Sequence, residues 1–534
     1  MDDPAIDVPS FRTQSDMLAD HAARQPTHVA VQVGEDRIDY QGLNALADRV
    51  AAALQRDGLL PTETLAVCAS SSIAYMGVFL GGLRAGVAVA PLAPSSTPAQ
   101  LVDMVADAGA RHFFIDSGVA QALAAGGVSL PPQLQCIALD DAADIGVPFS
   151  AWLAPVDSCP TPVEIDPTWP FNIIYSSGTT GTPKGIVQSH AMRWGHVARA
   201  ATFGYDSAAS TLIATPLYSN TSLVAVFPTL AGGGRLVLMT KFDVAGYLAI
   251  AERERISHTM LVPVQYQRLM ACPEFDRFDL SAFRFKSCTS APFQAALKAD
   301  ILARWPGALL EFYGMTEGGG TCILAAHEFP HKLHTVGRPA QGHDIRLIDD
   351  HGRVVAPGVA GEVVGRSGAM MSGYHHQPEK TAESVWFDEQ GQRFQRTGDI
   401  GVFDADGFLT LMDRKKDMII SGGFNIYPSD LEAVLCQHPA VADAAVVGVP
   451  SAAWGETPVA FVVRRADSRD SAATIREAVN AGLGKTQRLA DLRLTDELPR
   501  SAIGKVLKRE LRDRYAANCA ADHAASQTRA PPYV

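Results

Sequence analysis

The chain has 534 residues, 47% of them hydrophobic and 19% charged, which is too long for one ordinary domain and suits a sizeable core. A formal charge of −12 gives no basic surface for nucleic acid and no polybasic membrane patch. Eight scattered cysteines form no C-x-x-C pair and the acidic start "MDDPAIDVPS" has no signal-peptide pattern, so a cytoplasmic protein with reduced thiols is expected.

In chain order, "LNALADRVAAALQRDG" puts Leu43, Leu46, Val50, Ala53 and Leu54 on one helical face and stops at Gly58. "ETLAVCAS" reads as a strand. The most membrane-like run, "IAYMGVFLGGLRAGVAVAPLAP", is broken by Arg84 and several glycines. It predicts a buried helix, a turn near Gly86 and a strand ending at Pro91, rather than a membrane span. "RHFFID" reads as another strand.

The stretch "YSSGTTGTPKG" (175–185) follows the apolar strand end Ile173-Ile174-Tyr175 and precedes "GIVQSHAMRWGHVARAA", helical in its second half. Gly and Ser suit a linker, but ordered flanks favour an anion cradle. There, backbone N–H groups converge on an oxyanion and Lys184 adds charge. It is not a Walker A loop, because Pro183 precedes Lys184, Gly185 follows it, and the proline biases Thr182 away from helix.

"RLVLM" and "HTMLVPV" continue the strands, and "APFQAALKADILARW" reads as a helix with Pro292 near its start. "EFYGMTEGGG" (311–320) joins a strand end to a turn bearing Thr316 and Glu317. After about Gly342 the texture is shorter and more β-rich. "RTGDIG" places Asp399 after a glycine, and "MDRKKDMIISGG" marks a boundary. Beyond it, "PSDLEAVLCQHP", "VADAAVVGV", "TPVAFVVRR" and "SAATIREAVNAGL" make a helix, two strands and a helix. "PRSAIGKVLKREL" sets Lys505 at a helix start, and the last fifteen residues read as a mobile tail. The alternation implies α/β layers around a largely parallel sheet. Singly, Glu317 could be a solvated turn acid, Asp399 a cap and Lys505 a surface lysine.

Together and in this order, these stretches resemble the class I adenylate-forming superfamily of acyl- and aryl-CoA ligases, firefly luciferase and nonribosomal peptide adenylation domains. The resemblance runs from "FRTQSDMLADHAARQPTHVAV" to Lys505. It implies an α/β fold: a large N-terminal ATP- and acid-binding domain of layered subdomains (1–413) and a small mobile C-terminal α+β domain (414–534), with a flexible tail after about 518. It also implies ATP, Mg²⁺ and coenzyme A as cofactors or co-substrates and a small carboxylic acid as partner; it admits a homodimer. A carboxylate would attack the α-phosphorus, making an acyl-adenylate and releasing pyrophosphate, chemistry that needs positioned cations more than bases.

The resemblance also assigns roles. Ser177, Gly178, Thr179, Thr180, Gly181 and Lys184 would hold the pyrophosphate end. Ser290, Ala291 and Pro292 would wall the adenine, where Gly-Ala-Pro is usual. Glu311, Phe312, Tyr313 and Gly314 would flank it. Thr316 would contact the α-phosphate, and Glu317 would ligate Mg²⁺. Asp399 and Arg414 would bind the ribose, and Lys505 would bridge the acid and the α-phosphate. Lys416 falls at the hinge position, and Gly422, Gly423 and Trp454 match positions near CoA.

Tyr218, Ser219, Asn220, Gly318 and Gly319 would border the acid. The stretch "TPLYSNTSLVAVF" lacks the aspartate that pairs with an amine in amino-acid-activating relatives, and a buried ammonium without a counter-charge is costly. Ser219, where many ligases have His, and the glycines 318–320 predict a roomy pocket. Gln487 departs from a common K-x-P pattern. The expectation is an AMP-forming acid:CoA ligase for a bulky apolar acid (aryl, arylpropenoic or medium-chain). The alternative is an adenylating module that serves a carrier protein.

Overall fold

Leu43, Val50, Ala53 and Leu54 are fully buried on one side of the helix Tyr40–Arg56, as their spacing predicts, and Leu46 on the same face is half-buried. The helix Ile73–Arg84 crosses it closely: a Cβ at Gly81 would stand 2.5 Å from the Val50 side chain. Arg84, which interrupts the membrane-like run, clamps the pair by donating to Asp48 at 2.7 Å and to the Asn44 carbonyl at 3.0 Å.

The computed structural model describes residues 10–141, 146–176, 184–421, 424–451, 454–484, 487–501 and 504–527. The chain divides into two units, Met1–Arg346 with Val364–Arg396, and Leu347–Val363 with Thr397–Val534.

The first unit holds two large sheets. In one, the strands Thr64–Cys68, Ala88–Pro91, His112–Ile115 and Pro170–Ser176 lie in parallel arrangement. Pairing then turns antiparallel at Pro170–Ser176 with Lys184–Ser189, and again at Gly373–Tyr374. In the other, parallel strands from Val29–Val33 to Ala308–Tyr313 give way to antiparallel pairing at Cys322–Ala325. Both sheets thus change from parallel to antiparallel pairing next to the segments singled out from the sequence. The helix expected near Pro292 begins at Ala295, with Gln294 as its N-cap.

The second unit contains an antiparallel pair, Val441–Ser451 with Gly455–Arg464, flanked by the helices Pro428–Gln437 and Ala472–Ala481. Part of the stretch read as a tail is helical, because Lys508–Gln527 forms one helix. No helix among the described residues is long and apolar enough to cross a membrane.

Burial pushes His190, His258 and His343 down to about 4 each, with Arg199 adding to the effect at His343. Unfolding lets these rings take up protons near their ordinary value of 6.5. Stability is therefore present above pH 6.5 and lost as pH falls toward 4, on the order of 1–3 kcal/mol per ring. The melting temperature should drop between pH 7 and pH 5, and the drop should be shallower in His190→Phe. An unchanged slope in that variant would remove His190 from the account.

Candidate active site

Lys184 opens the strand Lys184–Ser189 and lies opposite Ser176 across the hairpin. The short strand Gly373–Tyr374 pairs with the same strand, Tyr374 opposite Ile186. That register brings the Tyr374 ring under the Lys184 ammonium, 5.1 Å from Nζ to the ring centroid. The Tyr374 hydroxyl donates to Glu317 Oε1 at 2.9 Å. Burial and the Glu317 charge push the phenol pKa up, so it stays a donor. The loop bearing Glu317 is fixed from both sides: Met371 N–H donates to the Glu317 carbonyl at 2.8 Å, and Gln188 Nε2 to the Thr316 carbonyl at 2.7 Å. Tyr374 was not legible in the sequence, because it lies 57 residues from Glu317 and no short pattern joins them.

Gln188 belongs to a buried polar cluster. Arg193, 1% exposed, donates from Nη2 to Asn172 at 2.9 Å, to Asn220 at 3.1 Å and closely to Gln188. Its guanidinium lies 5.4 Å from the Phe171 ring centroid and 5.7 Å from that of Phe227. Burial pushes its pKa down to about 9.

Near the expected acid pocket, Ser219 is buried and caps the helix Asn220–Ala231, accepting from Thr221 N–H. Tyr218 and Asn220 are half-buried. Ser290 has a left-handed backbone, φ +84°, and its hydroxyl meets Thr221 Oγ1 at 2.7 Å. Such a conformation favours glycine. Ala291 is half-buried beside it and Pro292 is exposed.

The expectation that three glycines leave a roomy pocket is corrected. A Cβ at Gly318 would stand 2.1 Å from the Ala369 carbonyl oxygen, one at Gly319 2.8 Å from that of Gly365, and one at Gly320 2.5 Å from Ile345. Gly318 and Gly319 also have φ of +74° and +95°. The glycines let backbone segments touch; the space is occupied by chain.

Glu311 is buried, with its carboxylate against the Lys298 ammonium. Burial raises its pKa to about 7, opposed by Lys298. The carboxylate expected to flank adenine is thus engaged inside the protein. On the next position of the strand, Phe312 packs edge-on against Phe203 at 5.6 Å. Tyr313 is half-buried and Gly314 exposed.

In the second unit, Asp399 and Arg414 are register partners and form an ion pair at 3.1 Å. Lys505 sits in the turn before the helix Lys508–Gln527, rather than at its first residue. Arg500 fixes that turn, donating to the Gly504 carbonyl at 2.7 Å and to Asp443 at 2.6 Å. By area Lys505 is exposed, yet desolvation of its ammonium brings its pKa down to about 8; Arg414 and Lys416 act the same way and Asp399 opposes. Lys416 is exposed by area and its pKa is lowered by desolvation and by Arg414. A cavity of about 560 Å³ is bordered by Ser421, Trp454, Arg476 and Arg488. Ser177, Gly178, Thr179, Thr180, Gly181, Gly422 and Gly423 lie outside the described residues.

Residues 18–375 match the AMP-binding enzyme family and residues 430–505 the AMP-binding enzyme C-terminal domain. The chain belongs to the AMP-binding enzyme family. It is 33% identical over 503 residues to a feruloyl-CoA synthase of Amycolatopsis sp, covering 92% of this chain and 97% of that one. It is 30% identical to the fatty acid–[acyl-carrier-protein] ligase ScoC of Streptomyces coeruleorubidus, covering 95% and 97%. ATP-bound MatB from Rhodopseudomonas palustris has the same fold, with a TM-score of 0.82 at 28% identity, covering 94% of this chain and 99% of that one. This member is accordingly an AMP-forming acyl-CoA ligase family enzyme that uses ATP.

Among the described residues no group of three or more His, Cys, Asp or Glu side chains converges as a metal cage. A single carboxylate, steadied by a phenol, suits Mg²⁺, which is commonly held by one or two carboxylates together with substrate phosphates. Tyr374→Phe keeps the ring under Lys184 and removes only the hydroxyl. Pyrophosphate exchange should fall about tenfold, the scale of a lost hydrogen bond to a charged group. Full exchange with normal Mg²⁺ dependence would show that Glu317 needs no such tie.

Proposed function

We propose that the protein is an ATP- and Mg²⁺-dependent ligase, acting in the cytoplasm, that joins an aromatic, largely apolar carboxylic acid to CoA through an acyl-adenylate. The observation that carries this reading is the Lys184–Tyr374–Glu317 chain, which sets a cation and a carboxylate at the two segments read as phosphate- and Mg²⁺-binding. Glu317 would hold Mg²⁺, whose charge would offset that of the phosphates. Lys184 would neutralise the departing pyrophosphate, and Thr316 would orient the α-phosphate. Asp399 accepts and Arg414 donates, a pairing suited to ribose hydroxyls. Lys505 would bridge the two anions that must approach, and Lys416 would act as the hinge between half-reactions.

An acid without an amino group is favoured by charge. Residues 218–221 contain no carboxylate, and Arg193 sits against Asn220. A substrate ammonium there would meet a cation instead of a counter-charge. The feruloyl-CoA synthase relative supports an aromatic acid. CoA as acceptor is supported by the cavity beside Trp454, Arg476 and Arg488, where an indole offers a stacking face and guanidiniums suit phosphate. A carrier-protein thiol is the second reading, favoured by the similarity to ScoC.

Incubation with a panel of carboxylates, ATP and CoA should yield AMP and an acyl-CoA, fastest with arylpropenoic acids. Adenylation without thioester formation from CoA would favour the carrier protein. Arg488→Glu should raise KM for CoA several-fold and leave pyrophosphate exchange unchanged; an unaltered KM would remove the cavity from the CoA path. Because Lys505 must keep its proton, kcat/KM for exchange should fall above pH about 8, where the ammonium titrates. Lys505→Arg should carry that limb to higher pH, whereas a limb that stays in place belongs to another group.

A further inference from the structure

Arg193 meets its three amide oxygens through a single nitrogen, Nη2. Its Nε and Nη1 are buried and have no hydrogen-bond partner in the protein. His190, three residues earlier on the helix His190–Ala200, is 4% exposed, and its Nε2 is likewise unpartnered. At i and i+3 the two side chains share one face of the helix. Both border a small cavity that is also lined by residues 11–14, Phe171 and Trp194. Its space is on the scale of one water molecule or one monatomic ion.

The lining is one-sided in charge. It holds the guanidiniums of Arg12 and Arg193, the His190 ring and the Gln14 amide, and no Asp or Glu. Arg12 already has a counter-charge, because its Nη2 donates to Asp20 at 2.6 Å. Arg193 has none among the described residues. Its amide partners and the Phe171 and Phe227 faces offset part of the charge and leave the N–H groups on Nε and Nη1 unmet. Burial brings the His190 pKa down to about 4, so the ring is neutral and its Nε2 can donate. A water has fewer lone pairs than there are N–H groups to meet, and it carries no charge. A halide accepts all of them and supplies the missing negative charge. A phosphate or sulfate is too large for the space.

We propose that this cavity binds a chloride ion between Arg193 and His190, as the resident counter-ion of the buried guanidinium. The ion joins residues 11–14 to the helix His190–Ala200. Through Arg193 it also steadies Asn172, Gln188 and Asn220, and so the framework of the first unit.

Thermal unfolding of the full chain tests this, with the protein first dialysed into chloride-free sodium gluconate. Sodium bromide, which stands in for chloride, then replaces gluconate at constant ionic strength. The melting temperature should rise saturably, by about 1–3 °C with bromide in excess. His190→Phe fills the cavity and keeps Arg193, and the rise should be lost in it. Crystals of the wild type soaked in bromide should show an anomalous peak within hydrogen-bonding reach of Arg193 and His190. That peak keeps the test decisive should His190→Phe fail to fold. No rise in wild type, or a rise that persists in His190→Phe, overturns the assignment. A density peak without anomalous signal marks a water and also overturns it. A bromide peak without a rise means binding at crystal concentration only, which removes the resident ion.

Discussion

The first unit is organised around one buried cation. Arg193 leaves a helix start and reaches three amide oxygens, on Asn172, Gln188 and Asn220. Those three belong to the strand Pro170–Ser176, the strand Lys184–Ser189 and the helix Asn220–Ala231. Gln188 then hands the connection to the Thr316 carbonyl. Burying a guanidinium without a carboxylate is expensive, and the aromatic faces of Phe171 and Phe227 offset part of the cost. Removing any one oxygen would leave a buried charge less solvated, so the four segments are held in one arrangement.

Close approach of backbone does the rest. The loop with Thr316 and Glu317 touches residues 365–371 so tightly that no side chain fits at 318 or 319. Ser290 shows the converse case. It takes a left-handed conformation that glycine holds without strain, at a cost on the order of 1–2 kcal/mol. Its hydroxyl then meets that of Thr221, coupling residue 290 to the start of the helix Asn220–Ala231. A strained serine thus adds a cross-link that a glycine there could not make.

Local pattern carried much of this structure. The helix Tyr40–Arg56, the broken run around Arg84, the strands flanking 177–183 and the order of the motifs all follow from short-range periodicity and turn chemistry. The glycine run misled, because the sequence gives the absence of a side chain but not what stands next to it. The setting of the Glu311 carboxylate was illegible for a similar reason: it depends on Lys298, which arrives from a separate helix. Tyr374 and Arg193 were invisible because their meaning lies in tertiary partners. The His375–His376 pair after Tyr374 is the more conspicuous feature of that stretch, yet it is the tyrosine that bonds Glu317.

Surplus charge is what a protein should not keep without reason. Arg414, Lys416 and Lys505 lie close enough in the second unit to lower the Lys505 pKa, although like charges side by side weaken a fold. An anion among the three cations raises the Lys505 pKa and removes the repulsion. The cluster of Arg414, Lys416 and Lys505 therefore suits an anionic ligand better than it suits an empty surface.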